Sequence, residues 1–202
     1  MSAMTYDYDG SQVLFRQAKA RSAAARGFAQ QADAEQDAGG NGMERQQREK
    51  DAVIATLILA QGAAEGYANW VHIQAGIPAT GTWVERWKKL PAAARALGRP
   101  AKAGVGGQPI EITLSSAHEE FLNRLGAWRN FLLHADTRAR DRLRDLLNES
   151  GDLAPGEPQI TLLTADLAET TLTRSDEIFR WAQDLTAVQA PFLDHAWVAS
   201  DE

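Results

Sequence analysis

Three observations predict an all-α fold. Residues that favour helices, such as Ala, Arg, Leu, Gln and Glu, dominate the 202 residues, and runs of β-branched residues are scarce. Apolar residues recur every three or four positions over several long stretches. Only two short segments, 107–114 and 158–164, alternate as a strand does. We therefore expect a helical bundle of four to five long helices with a Gly/Pro-rich loop.

The composition limits the class of protein. Hydrophobic residues make up 44% and charged residues 24% of the chain, and a length of 202 residues predicts one domain over 1–202. The net charge of −6 argues against a constitutive, sequence-blind nucleic-acid binder, but not against an enzyme that meets RNA briefly. The absence of cysteine excludes disulfides, thiolate metal sites and cysteine nucleophiles. No stretch resembles a signal peptide or a membrane helix, so we expect a cytoplasmic location and no membrane partner.

Two long helices are predicted in the first half of the chain. The first runs from about 11 to 36 and ends at DAGGNG, and the second runs from about 43 to 75 and ends at AGIP. Thr82 is positioned to cap a short third helix, which Pro91 interrupts or restarts. The Gly/Pro-rich segment 98–109 then separates the two halves and is a candidate flap or disordered loop.

The second half is predicted to hold the remaining helices. Ser116 and Glu119 have the spacing of a capping box at the start of a helix. This helix is expected to break near Asp136 and to continue through RARDRLRDLL. Thr164 then begins a last amphipathic helix that reaches Val188.

One stretch in this half, WRNFLLHAD (128–136), places polar groups among apolar ones. On an ideal helix, each residue advances by about 100°. The predicted core stripe then contains Phe121, Leu125, Trp128 and Leu132. Arg129 flanks that stripe, whereas Asn130 and His134 form an i, i+4 pair on the far side. Because Arg129 and His134 are about 140° apart, a shared site needs a neighbouring helix or a second subunit.

The second helix carries a polar strip beside its apolar stripe. The apolar stripe contains Val53, Leu57, Ala64, Ala68 and Val71. The polar strip contains Gln61, Glu65, Asn69 and His72. Burying such groups without partners costs roughly 1–3 kcal/mol each, so they require partners or solvent. We expect Glu65 to face Arg129, which would satisfy both side chains.

A basic patch adjoins WRNFLLHAD. The segment from position 124 to position 144 contains six arginines and only two carboxylates, Asp136 and Asp141. Its local charge is therefore +4, in a chain of net charge −6. The candidates for contact with a phosphate backbone are Arg124, Arg138 and Arg140. The alternative is a solvated helix face on which arginines alternate with carboxylates.

Spacing alone favours structural roles for several of these residues. A histidine near a helix C-terminus interacts with the helix dipole, and an arginine beside a core stripe commonly forms an ion pair. The tryptophans are most simply core or interface residues, although Trp83 and Trp87 alternatively form one exposed docking face. His72 and His195 lack partners at the spacing of metal ligands, so no metal and no other cofactor is expected.

The segment RNFLLH (129–134) resembles the Arg-Asn-x-x-x-His motif of the HEPN (higher eukaryotes and prokaryotes nucleotide-binding) superfamily. The segment LILAQGAAEGYANW (57–70) also resembles the second helix of that family, in which an acidic residue can face the motif. The resemblance covers about 45–190 and leaves the N-terminal helix, about 11–36, as an addition. It implies a compact helical bundle. Many members are metal-independent endoribonucleases of toxin–antitoxin, abortive-infection or CRISPR systems.

The resemblance also implies roles for individual residues. His134 would act as general base or acid on the RNA 2′-hydroxyl or the 5′ leaving oxygen. Arg129 would hold the scissile phosphate, and Asn130 would position the phosphate or the histidine. Glu65, supported by Asn69, would orient Arg129. The products would be a 2′,3′-cyclic phosphate and a 5′-hydroxyl, formed in a homodimer whose two Arg/His sets converge.

One position departs from the family pattern, and two further classes of function stay open. Where some family toxins carry a tyrosine that a nucleotidyltransferase antitoxin modifies, this chain has Asp136, which argues against that regulation. The same residues also fit a catalytically inactive helical bundle that binds a partner protein or a nucleotide. A third hypothesis is a regulatory or antitoxin-like subunit of a defence system.

Overall fold

The computed structural model describes residues 10–99, 112–134, 136–154 and 156–191. All regular secondary structure in these ranges is helical, which confirms the all-α class for this part of the chain. The helices are α1 (Gly10–Asp37), α2 (Met43–Gln74), α3 (Trp83–Lys88), α4 (Leu90–Ala96), α5 (Ser116–His134), α6 (Thr137–Glu149) and α7 (Ala165–Thr186), with a 3-10 turn at Gln159–Leu162. None of these helices combines the length and the apolar character that a membrane span requires.

The long helices α1 and α2 form a hairpin whose turn is built on glycine. Gly39 and Gly42 have positive φ angles of 83° and 60°, a conformation that glycine adopts without a steric penalty. Gly42 also lies against α1, since a Cβ atom there would be 2.9 Å from the carbonyl oxygen of Ala32. The predicted bounds of both helices are therefore confirmed to within one residue, because DAGGNG provides the required turn.

Three of the predicted helix starts are also confirmed. Thr82 caps α3 through a capping box, in which its hydroxyl accepts from Glu85 N at 3.3 Å and its own N–H donates to the Glu85 carboxylate at 2.6 Å. Pro91 lies in the first turn of α4, where its missing N–H costs no helical hydrogen bond. Thr164 caps α7 by accepting from Leu167 N at 3.4 Å.

The start of α5 differs from the prediction by one residue. The hydroxyl of Ser115, rather than that of Ser116, accepts a hydrogen bond from the helix, from His118 N at 3.2 Å. Ser116 is already the first helical residue. Glu119 does not close a capping box with Ser116 and instead forms an ion pair with Lys88 of α3 at 2.5 Å. Two adjacent serines offer equivalent caps, and the sequence pattern did not distinguish them.

The segments that alternate like strands do not form strands among the described residues. The segment 158–164 contains the 3-10 turn, and residues 112–115 have no regular structure. The remainder of 107–114, most of the loop 98–109 and His195 lie outside the described residues. Helix α7 ends at Thr186, two residues before the predicted end, because Ala187 adopts a left-handed φ of 57°.

The core consists of two hydrophobic clusters. One surrounds the rings of Phe15, Tyr67 and Phe179, whose centroids lie 5.1 Å (Phe15–Phe179) and 5.4 Å (Tyr67–Phe179) apart. The other contains Leu57 of α2 and Trp128 of α5. All five residues of the predicted apolar stripe of α2 are buried. On α5 the core face is rotated from the prediction. Leu122 is fully buried beside Leu125 and Trp128, whereas Phe121 and Leu132 are only partly buried.

An ion-pair cluster ties the N-terminal helix α1 to α7. The guanidinium group of Arg26 donates to Glu169 and Asp166 at 2.6 Å in each case. The hydrogen bond from Arg26 lowers the pKa of the Glu169 carboxyl group. Phe15 and Ala25 of α1 are buried in the hydrophobic clusters, so α1 is packed as an integral part of the bundle.

Candidate functional site

Helix α5 ends within the WRNFLLHAD stretch, and helix α6 begins directly after it. His134 is the last residue of α5, and Asp136 is the N-cap of α6. The Asp136 carboxylate accepts a hydrogen bond from Ala139 N at 2.7 Å and satisfies one of the free N–H groups at the start of α6. The predicted break near Asp136 is thus confirmed. This junction brings His134 next to the first two turns of α6.

A groove of about 380 Å³ lies at this corner, and we call it the α5–α6 groove. Its polar lining consists of Asn130 and His134 from α5, the N-cap residue Asp136, and Arg138 and Arg142 from α6. All five side chains are exposed. Within the described ranges, neither Arg138 nor Arg142 forms an ion pair or a hydrogen bond. The groove therefore offers a ligand an imidazole and two guanidinium groups, beside an amide and a carboxylate that already accept hydrogen bonds.

Arg129 lies beside this groove and does not line it. Its side chain is partly buried, and Nη1 donates to the Oδ1 atom of Asn130 at 3.2 Å. A single chain therefore brings Asn130 and His134 together but leaves Arg129 on the adjoining face. This arrangement is consistent with the angular separation that the helical spacing predicts.

The other candidate arginines divide between ion pairs and solvent. Arg124 is on a different face, where it pairs with Asp152 and, at 3.5 Å, with Glu120. Arg140 is exposed and lies 3.4 Å from Asp141. Of the three arginines named from the sequence, only Arg138 lines the groove. Arg142, which was not named from the sequence, lines the groove as well. Its i, i+4 spacing from Arg138 was the sequence signal that could have identified it.

Glu65 and Asn69 do not contact Arg129, which corrects the expected pairing. Their cationic partner is Arg86 of α3, whose Nη1 atom donates to Asn69 Oδ1 at 2.6 Å and lies 3.4 Å from Glu65 Oε1. Gln61 Nε2 donates to the second Glu65 oxygen at 2.9 Å. The reason is topological: α3 follows α2 after a short connection and folds back along it, so Arg86 is the nearer cation.

His72 completes this network and has a structural role. It is fully buried, and its Nε2 atom lies 3.0 Å from the backbone oxygen of Arg86. A carbonyl oxygen only accepts, so Nε2 carries the proton and donates it. We call Gln61, Glu65, Asn69, His72 and Arg86 the α2–α3 network.

In the part of the chain that the structure describes, no three His, Cys, Asp or Glu residues are grouped as metal ligands.

Trp83, Trp87, Trp128 and Trp181 follow the core interpretation. Trp87 has no exposed surface, so an exposed docking face made by Trp83 and Trp87 is wrong. Trp83 is partly buried and packs over α5 at Gly126, where a Cβ atom would lie 3.0 Å from its Nε1 atom. Glycine at this position lets α3 approach α5 closely.

Comparison of the chain with models of protein families, with curated proteins and with solved structures found no match. The geometry of the groove and the residues of the motif are therefore the basis for a functional assignment.

Proposed function

We propose that the chain is a metal-independent endoribonuclease of the HEPN type, which acts as a homodimer in a toxin–antitoxin or phage-defence system. The observation that carries the proposal is the α5–α6 groove, where His134 and Asn130 share an exposed surface with Arg138 and Arg142. An imidazole transfers protons near neutral pH, and guanidinium groups bind phosphate oxygens through charge-assisted hydrogen bonds. These are the groups that phosphodiester cleavage by the 2′-hydroxyl requires.

The proposed reaction is a transesterification within the RNA. His134 removes the proton of a 2′-hydroxyl, whose oxygen attacks the adjacent phosphorus while the bond to the 5′ oxygen breaks. The leaving oxygen takes up a proton from the second His134 of the dimer. The guanidinium groups stabilise the negative charge that develops on the phosphate oxygens. The products are a 2′,3′-cyclic phosphate and a 5′-hydroxyl.

The position of Arg129 is the argument for a dimer. In one chain Arg129 adjoins the groove without lining it, so a second chain packed against this corner would supply the missing guanidinium group. Leu133 lies between the two motif residues and keeps 49% of its surface exposed, which gives the corner an apolar contact area.

A catalytically inactive bundle that binds a nucleotide or a partner protein is the alternative. Its support is the hydrogen bond between Arg129 and Asn130, which engages both groups within one chain. Under this alternative the groove binds a phosphate group without cleaving its ester, and no dimer is needed.

Cleavage of a defined RNA distinguishes the two proposals. The substrate is a labelled single-stranded RNA, incubated with the purified protein in excess chelator, beside the same RNA with a 2′-deoxy nucleotide at the cleaved position. We expect a cyclic phosphate end from the first substrate and no cleavage at the substituted position of the second. Cleavage of DNA, or a requirement for a divalent cation, would contradict the proposed chemistry. Binding without cleavage by a protein shown to be dimeric favours the inactive alternative.

The biological setting has a separate test in living cells. Expression of a ribonuclease toxin stops growth, so we expect growth arrest with the natural chain and none with His134→Ala at the same protein level. The matched control is Arg95→Ala, at an exposed position of α4 remote from the groove. Co-expression of an antitoxin or defence protein from a neighbouring gene would relieve the growth arrest that the natural chain causes.

A further inference from the structure

A second concavity, of about 370 Å³, lies between α5, α7 and the segment that follows α6. We call it the α5–α7 cleft. It opens on a different face from the α5–α6 groove, and its volume is within the range of small-molecule sites. Its apolar lining consists of Ala117, Phe121, Leu125, Trp128 and Leu167. Leu125 and Trp128 are almost fully buried, whereas Phe121 retains accessible surface. The cleft therefore offers an aromatic side chain to a flat ligand.

The charges that line the cleft already have partners. Arg124 is paired with Asp152 and Glu120, and Arg174 is paired with Glu177 at 2.9 Å. A ligand with several negative charges would have to displace these carboxylates. The α5–α6 groove differs, because its arginines have no such partners among the described residues. The cleft is thus suited to a ligand of little or no charge.

His118 supplies a polar group in this lining. Its Nδ1 atom is buried and has no hydrogen-bond partner. Burial lowers the pKa of His118 below its ordinary value, although the nearby Glu177 carboxylate opposes this, and Arg174 lowers it further. The lowered pKa favours the neutral imidazole, which has one donor and one acceptor nitrogen. The Nδ1 atom has almost no accessible surface, so a ligand that bonds to it must first rotate the imidazole toward the cleft. The bond then removes the cost of a buried nitrogen without a partner.

We propose that the α5–α7 cleft binds an uncharged heteroaromatic ring with hydrogen-bonding edges, the chemical class to which nucleobases belong. The ring stacks on Phe121, and its edge bonds to His118. The base could belong to a free nucleoside or to a single-stranded RNA. Binding of a nucleoside does not depend on the proposed ribonuclease activity.

If the base belongs to an RNA substrate, the cleft determines sequence preference, and this part rests on the proposed function. Arg124 beside the cleft and His134 in the groove are ten residues apart on α5, a rise of about 15 Å. A base in the cleft would then belong to a different nucleotide from the one whose phosphate lies in the groove.

Titration with adenosine, guanosine, cytidine and uridine tests the proposal. Binding is measured by calorimetry, and the ring signal of His118 is followed by NMR. We expect saturable binding of at least one nucleoside to the natural chain. His118→Phe and Phe121→Leu should each weaken it roughly tenfold, because they remove the polar edge and the aromatic face respectively. His118→Phe also deletes the unpartnered nitrogen, so its thermal stability should be unchanged or higher, which shows that the loss is not unfolding.

The control is Arg95→Ala, at an exposed position that does not line the cleft, which should leave nucleoside affinity unchanged. The proposal is overturned if no nucleoside binds, if ATP binds more tightly than adenosine, or if His118→Phe binds as the natural chain does. Competition by a short single-stranded RNA, measured in His134→Phe so that no cleavage occurs, identifies the source of the base. If the RNA displaces the nucleoside, the cleft binds a base of an RNA. If the RNA does not displace it, the cleft binds a free nucleoside. Since no cleavage is measured, failure of this proposal is separate from failure of the ribonuclease proposal.

Discussion

The α2–α3 network and the α5–α6 groove arise from the same sequence pattern but have opposite environments. In both, polar residues at i, i+4 spacing flank an apolar helical stripe. In the network, Gln61 is 6% exposed, His72 is fully buried, and Arg86 links the polar side chains to α3. In the groove, His134 and Asn130 are exposed, and the nearby Arg138 and Arg142 have no partners within the described residues. The network therefore pairs most of its polar groups within the fold, although His72 Nδ1 and Arg86 Nε are buried without a partner, whereas the groove leaves its imidazole and guanidinium groups open to a ligand.

Substitution of the motif residues should have the largest effect. We expect His134→Ala and Arg129→Ala each to reduce the rate of RNA cleavage by at least about a hundredfold, the size of a general acid–base or charge-stabilising contribution. His134 is exposed, so the free energy of unfolding of His134→Ala should stay within about 0.5 kcal/mol of the natural value. Cleavage rates and urea denaturation measure the two quantities, with Arg95→Ala as control. Undiminished cleavage in both variants would assign the activity to a contaminant.

Substitution of Arg86 should lower stability and leave the cleavage rate unchanged, the opposite of the result expected for His134. Arg86→Met removes the donor to Asn69 and the cation beside Glu65, so the free energy of unfolding should fall by about 1–3 kcal/mol. The cleavage rate per folded molecule should not change, because the network lies apart from the groove. Urea denaturation and cleavage assays at a temperature where the variant is folded provide the test. Loss of cleavage with unchanged stability would return Glu65 and Asn69 to the catalytic role that the sequence suggested.

Removal of the groove arginines should change RNA affinity without a change in stability. Log K falls with log salt concentration by about 0.7 for each phosphate contact with a single strand. We therefore expect Arg138→Ala and Arg142→Ala each to reduce this slope by roughly 0.7. The affinity is measured at several salt concentrations in the His134→Ala background, which prevents cleavage. Arg140→Ala, whose side chain is exposed outside the groove lining, is the matched control and should retain the natural slope.

The smallest effect concerns His118. Its side chain is less buried than that of His72 in the α2–α3 network and less exposed than that of His134 in the α5–α6 groove. Burial lowers the pKa of His118 in the folded chain below its value of 6.5 in an unfolded one. As the pH falls through 6.5, the unfolded chain therefore binds more protons at this position, and the free energy of unfolding decreases. Urea denaturation at pH 7.5 and pH 5.5 should show a smaller decrease for His118→Phe than for the natural chain. An equal decrease in both would assign the pH dependence to other groups.

Local signals made most of the fold predictable. The ends of α1 and α2, the caps at Thr82 and Thr164 and the restart at Pro91 depend on a few neighbouring residues, and the sequence displays them directly. The error at α5 is also local: Ser115 and Ser116 are chemically equivalent, and only the backbone conformation selects Ser115 as the cap.

The partners of polar side chains could not be predicted in the same way. Helical periodicity shows that Glu65 and Asn69 flank a core stripe, but not which neighbouring helix supplies the cation. The short connection between α2 and α3 was a usable signal for Arg86, since consecutive elements are usually adjacent in space. The α5–α7 cleft had no comparable signal, because its lining comes from three separate parts of the chain.

Gly126 has a consequence for how the two hydrophobic clusters unfold. Among the described residues, Trp83 and Phe121 are the only partly buried side chains that pack against both clusters. Trp83 reaches this position because Gly126 has no side chain. Gly126 therefore allows one ring to contact both clusters, an arrangement that favours their unfolding as one cooperative event. Phe121, the other shared ring, also lines the α5–α7 cleft, so a molecule bound there would strengthen the same coupling.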